Sequence, residues 1–289
     1  MTVRSNQDRM GLGMQGHTID NADPPPVPPV DNTPLSFVIP TEFVDLPSKG
    51  KYYPAGHPLK DQETIEIRHM TAKDEDILTS RTLLKKGIAV DRMIQNIIVD
   101  KAIKIQDLLI GDKNAVIVAA RINGYGPEYE VKTACPTCGY KNNTVFNLSE
   151  LNTQAEQEEV FEEHSIEKTD NNTFLLTVPR SKVVVELKLM TSHDETAMAA
   201  RAQKRKKHNL PDTLFTDQLR TIIASVQGDP STVGQYINSL PALDSRYIRK
   251  IYNLIMPSID LTQDFVCTEC DQEDRLEVPF TTEFFWPKR

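Results

Sequence analysis

"TACPTCGYKN" (residues 133–142) sets two cysteines at C-x-x-C spacing with a glycine directly behind them. The other two cysteines of the chain stand in "VCTECDQED" (266–274), at the same spacing. Cys135, Cys138, Cys267 and Cys270 therefore form two matched knuckles. The residues around each knuckle read as strands: "EYEVKT" and "KNNTVFNL" flank the first, "IDLTQDFV" and "RLEVPF" the second. Two strand–knuckle–strand hairpins facing each other across one ion held by four thiolates make a zinc ribbon. Four cysteine ligands leave no open coordination position, so the expected Zn2+ is structural rather than catalytic. A thioredoxin-type redox pair needs a βα context, which neither knuckle has. An iron–sulfur cluster fits the same ligand count.

The knuckles lie far apart in the chain, and what separates them decides the architecture. Residues 150–170 read as an acid-rich linker. "TFLLTVPRSKVVVELKLM" reads as a hairpin around Pro179-Arg180-Ser181. Helices are expected over 192–207, 213–226, 231–239 and 242–256, punctuated by Pro211, Gly228–Pro230 and Pro241. A shared ion would close a loop of about 130 residues, a constraint that acts as a long-loop disulfide does.

Upstream of the first knuckle, "ETIEIRHM" alternates as a half-buried strand. Thr71 and Asp74 offer a capping box for a helix running to Gly87, with acids early and Lys85 and Lys86 late. "AVDRMIQNIIVDKAI" continues as helix. "IQDLLIGDKNAVIVAARINGYG" gives a short turn and a helix that stops at Gly124 and Gly126. "FVIPTEFVDLPSKGKYYP" is extended, and its Phe37, Phe43, Tyr52 and Tyr53 need a surface to lie on. Residues 1–34 carry prolines at 24, 25, 26, 28, 29 and 34 and little to bury. They read as a flexible arm or as a docking element that orders on a partner.

The expected fold is α+β: mainly helical, with short antiparallel strands and hairpins, a split four-cysteine zinc ribbon and a disordered Pro-rich N-terminal arm. It divides into an arm (1–34), a strand-plus-helices half ending in the first knuckle (35–150), a hairpin with an inserted helical segment (151–260), and the second knuckle with an aromatic C-terminus (261–289). Two stretches echo one another. "IEIRHMTAKDED" (65–76) and "VELKLMTSHDET" (185–196) share a strand, a Met-Thr pair and an acid-rich helix start, and each leads through helices to a knuckle. Duplication explains this; so does the shared grammar of strand, Thr cap and helix.

The chain has 289 residues and a net charge of −8, which disfavours a general nucleic-acid binder. No apolar run is long enough to span a bilayer. No nucleotide-binding, nucleophile-elbow or zinc-protease motif is present, so no enzyme is expected. "GYGPEY" (124–129) is a helix stop rather than a dinucleotide loop. The histidines at 17, 57, 69, 164, 193 and 208 are scattered, as surface or cap residues are. The basic run "RAQKRKKH" (201–208) suits a helix C-terminus. Phe284, Phe285 and Trp286 either pack on the protein's own core or anchor a partner.

"LPSKGKYYP" (46–54), "MTAKDEDIL" (70–78), "LLIGDKNAVIVAARINGYGPEYEV" (108–131) and "CPTCG" (135–139) together resemble the baseplate hub assembly proteins of T-even-type contractile-tailed phages. The likeness is clearest over residues 40–150. It implies a late, non-enzymatic tail component, a hub subunit or assembly chaperone, made in the host cytoplasm. It also implies hub proteins and the tape measure protein as partners and a place in the virion baseplate if the chain is retained; the acidic charge and the lack of a long apolar run add the expectation of no nucleic acid and no membrane. The rival reading is a zinc-ribbon regulatory module associated with nucleic acid. That reading expects basic residues around the knuckles, and "CTECDQEDRLE" is acidic.

Overall fold

In "TEFVD" Val44 turns inward while Thr41, Phe43 and Asp45 face out, the period of two that makes strand β1 (Thr41–Asp45). A computed structural model describes residues 38–154, 158–279 and 284–285. The expected arm over 1–34 lies outside the described residues, as do Phe37 and Trp286. From Ile39 onward the chain forms one compact unit.

Strand β1 pairs antiparallel with β2 (Thr64–Arg68), which sets Val44 beside Ile65. The helix expected from Thr71 to Gly87 is two helices, α1 (Ala72–Thr79) and α2 (Arg81–Lys86). Ser80, at ψ 110, ends the first and its carbonyl accepts the Leu84 N–H to start the second. Thr79 and Ser80 favour such a break, because short hydroxyl side chains compete for backbone partners; Thr79 bonds the Glu75 carbonyl. Gly87 is the stop, at φ 70. Helix α3 (Ala89–Ile97) ends sooner than expected. Ile98 leaves it to bridge Ile67, and the Val99 N–H donates to Glu66, so the chain after α3 makes an isolated bridge to β2. Helix α4 (Ile110–Tyr125) ends at Gly126, and the hairpin β3 (Glu128–Ala134) and β4 (Lys141–Asn147) follows.

The expected linker over 150–170 is partly structured. It holds β5 (Asn152–Gln154), α5 (Glu158–Glu163) and β6 (Glu167–Lys168), with Val160 and Ile166 buried. Strands β7 (Phe174–Thr177) and β8 (Val184–Leu187) form the expected hairpin. Helix α6 (Ser192–Lys207) matches its expected bounds and ends in the basic run. Helix α7 (Leu214–Ile222) does not reach 226. Its last stretch is strand β9 (Ile223–Val226), which pairs with β8 in the sheet β6-β7-β8-β9. Then come α8 (Val233–Ser239), α9 (Ala242–Ile255), β10 (Ser258–Asp260) paired with β5, and the hairpin β11 (Thr262–Val266) and β12 (Glu273–Glu277). Helices and antiparallel strands are thus mixed along the chain.

The core is one cluster that draws on both halves. Helix α9 contributes Ile248, Ile251, Tyr252 and Ile255, the i, i+3, i+4, i+7 stripe of a one-faced helix. Helix α3 contributes Met93, Ile94 and Ile97. Tyr52 and Tyr53 are buried, but Phe43 is 70% exposed and has no covering surface among the described residues.

The echo between the halves extends to their hydrogen bonds. Arg68 pairs with Asp74 after β2, and Lys188 with Asp194 after β8, over the same sequence step. Each acid also accepts the N–H of its cap threonine, Thr71 or Thr191. A second device repeats further on. Asp112, third residue of α4, accepts the Ser48 N–H at 3.0 Å; Asp244, third residue of α9, accepts the Arg180 N–H at 2.8 Å. Both bonds join residues 64 apart, and Ser48 and Arg180 each follow a proline in the turn after their strand. Asp112 takes two more bonds, from Ser48 Oγ and Tyr53 Oη. Burial pushes its carboxyl up, and those three donors oppose the rise. Each half thus runs strand, clamped turn, strand, capped helix, long helix, knuckle hairpin.

Candidate metal centre

The β3–β4 and β11–β12 hairpins carry one knuckle each at their tips. The Cys135 N–H donates to Tyr140 and the Gly139 N–H to the Cys135 carbonyl. In the second knuckle Cys267 bonds Gln272 and Asp271 bonds Cys267 in the same way. Both turns need a left-handed residue. The first uses Gly139 at φ 73 and the second Asp271 at φ 54; aspartate is among the few L residues that tolerate that region.

The four sulfurs converge as the sequence leads one to expect. Their ligand atoms all lie within 4.8 Å of one another. Cys135 Sγ is 3.8 Å from Cys270 Sγ, and Cys138 Sγ is 3.7 Å from Cys267 Sγ. A disulfide needs about 2.05 Å, so these are free thiols. A tetrahedron with metal–sulfur bonds of about 2.3 Å has edges of about 3.8 Å, so the set fits an ion with four thiolate ligands. Such an ion would cross-link the two hairpins and offer no open position to a substrate. Cys135 and Cys267 are buried, while Cys138 and Cys270 are exposed.

The thiols differ in their readiness to ionise. Burial works against the Cys267 thiolate, but the Glu269 and Cys270 N–H groups and the Asn142 amide bring it down to about 6. The Cys138 N–H lowers Cys135. For Cys270 the Gln272 N–H pulls down, but the crowd of neighbouring thiols wins and pushes it up to about 12. A cation would draw the protons from all four.

Two residues that the sequence did not flag join the hairpins. Asn142 Oδ1 accepts from both the backbone and the hydroxyl of Thr268, and its amide nitrogen lies 3.5 Å from Cys267 Sγ. Gln263 forms a two-way bridge with the backbone of Asn147, donating at 2.6 Å and accepting at 3.0 Å. The only sequence signal for Asn142 is its place directly behind the knuckle. Gln263 gives none. Cys135, Phe265 and Cys267 make a small core of their own, with Leu276 against it.

No helix among the described residues is long and apolar enough to cross a membrane. A family described as "T4 bacteriophage base plate protein" matches residues 39–286. Neither the curated proteins nor the solved structures give a match.

Proposed function

The chain belongs to the T4 bacteriophage base plate protein family, and from that premise we propose that it serves at the tail hub, as a hub subunit or as the factor that assembles it. It acts by protein–protein contact, without catalysis, and one structural Zn2+ on Cys135, Cys138, Cys267 and Cys270 ties its two halves together. The hub proteins and the tape measure protein are the proposed partners, met in the host cytoplasm during assembly. The four-part division, with 1–34 as an arm, 35–150 as the strand-plus-helices half ending in the first knuckle, 151–260 as the hairpin with its inserted helical segment and 261–289 as the second knuckle and aromatic C-terminus, belongs to the same reading.

The observation that supports it is the convergence of four sulfurs from two hairpins, all within 4.8 Å of one another. An ion held by all four would staple the scaffold and leave no place for a reacting group. Around the second knuckle, Glu269, Asp271, Glu273 and Asp274 are exposed. Their charge repels phosphate and disfavours the nucleic-acid reading.

Metal analysis of the purified chain should find one zinc per chain, and Cys138→Ser should remove it. Mass spectrometry of finished virions beside assembly intermediates should find the chain in hub intermediates. A metal-free wild type, or a chain present only in intermediates without hub proteins, overturns the reading.

A further inference from the structure

The two halves differ at one sheet edge. In the second half, β7 is covered on its outer side by β6, with Glu167 opposite Leu175. In the first half, β1 occupies the place of β7. Phe43 stands four residues before Pro47 as Leu175 stands four before Pro179. Yet β1 pairs only with β2 among the described residues.

The register shows which groups this leaves free. The His69 N–H donates to Pro40 and the Leu46 N–H to Glu63, so residues 40, 42, 44 and 46 bond towards β2. In an antiparallel ladder the alternate residues point the other way. The backbone N–H and C=O groups of Thr41, Phe43 and Asp45 therefore face outward. Along the same edge Val38 is 85% and Phe43 70% exposed. In the second half, residues Thr169–Thr173 turn β6 back onto β7, with Asn172 at φ 58. The matching residues Val38, Ile39 and Pro40 make no such turn, and Pro40 continues the ladder with β2 instead.

We propose that the outer edge of β1 receives a strand from another base plate protein, an extended segment that alternates Lys or Arg with apolar residues. This rests on the hub reading above. The edge offers three outward backbone positions and an apolar ring, the mode of recognition by strand addition. Charge selects the occupant. Asp45 is exposed beside Phe43, and Glu66 lies opposite Phe43. A second copy would bring the same acids from a chain of net charge −8. The chain's own residues 1–37 hold four aspartates against two arginines, with prolines crowded over 24–34. A basic strand in trans complements the edge where neither of these does.

The test mixes the full chain with base plate intermediates from cells infected by phage lacking it, and reads co-sedimentation and amide exchange. Intermediates should slow exchange at Thr41, Phe43 and Asp45 at least tenfold. Phe43→Pro removes an outward N–H without touching the β1–β2 ladder, so it should melt as wild type but bind at least tenfold more weakly. Phe43→Ala, which keeps the N–H, should bind better than the proline variant. If Phe43→Pro does not fold, Thr41→Pro tests the neighbouring outward amide. Co-sedimentation without protection overturns this inference and leaves the hub reading standing. No co-sedimentation overturns both. Protection already present in the isolated chain assigns the edge to its own arm, and protection that grows with its concentration assigns it to a second copy; either result overturns the proposal.

Discussion

Asp74 and Asp194 hold equivalent posts, and their burial sets different stakes. Asp74 is fully buried and takes bonds from Arg68, Thr71 and Asn96. Asp194 is 17% exposed and its Lys188 partner 41%. Asp74→Asn should cost about 3 kcal/mol, since it leaves a desolvated guanidinium unpaired. Asp194→Asn should cost about 1 kcal/mol or less. Urea titrations of the two variants check the contrast. Burial works against the Asp74 carboxylate, but Arg68 and the Thr71 and Asn96 donors hold it down at about 2, below the ordinary 3.8. Its contribution is therefore present in full above pH 3.8 and is lost as the pH falls through about 2. The acid limb of the stability curve should flatten in Asp74→Asn. Gly111 shows a steric limit that no propensity scale contains. A Cβ there would lie 1.9 Å from the Pro257 carbonyl oxygen, where α4 crosses the chain entering β10. Gly111→Ala should therefore destabilise by about 2 kcal/mol or more, despite alanine's better helix propensity. A rise in the urea midpoint would contradict this.

At the scale of elements, the sequence was most legible where one local pattern settles the conformation. The capped start of α6, the Gly126 stop of α4 and both knuckle hairpins follow from spacing alone. It was least legible where tertiary partners decide. "TIIASV" can continue a helical stripe, but β8 supplies a free edge and its β-branched residues pair there as β9. Residues 150–170 look like solvated linker because their charges dominate. Val160 and Ile166, buried in the shared core, and Leu151 and Phe161, packed against it, reveal elements there. The four cysteines were readable, but the polar struts between the hairpins were not, since nothing in the sequence says that Asn142 meets Thr268. That strut is testable. Asn142→Ala removes the acceptor of the Thr268 N–H and hydroxyl and a donor to Cys267. Thr268 is exposed, so water takes up its freed groups and each lost bond costs about 1 kcal/mol. The variant should keep its helices, loosen the two hairpins relative to each other and release the proposed zinc faster to a chelator. Unchanged release kinetics would show that the strut does not support the site.

At the scale of the molecule, the repeated plan explains why the chain's end matters. Residues after β4 form β5, which pairs with β10; residues after β12 return to the start of β3 in the other half. There Arg121, only 1% exposed, donates to the carbonyls of Phe284, Gly126 and Glu128. Phe284 lies edge-on to Tyr129 at 5.1 Å and to Phe285 at 5.3 Å, and both phenylalanines are buried. Of the two readings open for the aromatic tail, self-packing therefore holds for Phe284 and Phe285, while Trp286 lies outside the described residues. A chain ended at Pro279 loses two buried rings, each worth about 1.5–3 kcal/mol, and leaves the Arg121 Nε–H without its acceptor. The summed loss is on the order of 5 kcal/mol, comparable to the whole stability of a marginal domain. Because one core serves both halves, the damage should not stay local. Near-ultraviolet circular dichroism and urea unfolding should show both halves weakened in a single transition. A chain ended at Phe285 keeps every contact named here and should unfold near the wild-type midpoint. If that longer truncation product were as unstable as the shorter one, the support would come from Trp286 and the residues after it, and the role given to Phe284 and Arg121 would be wrong.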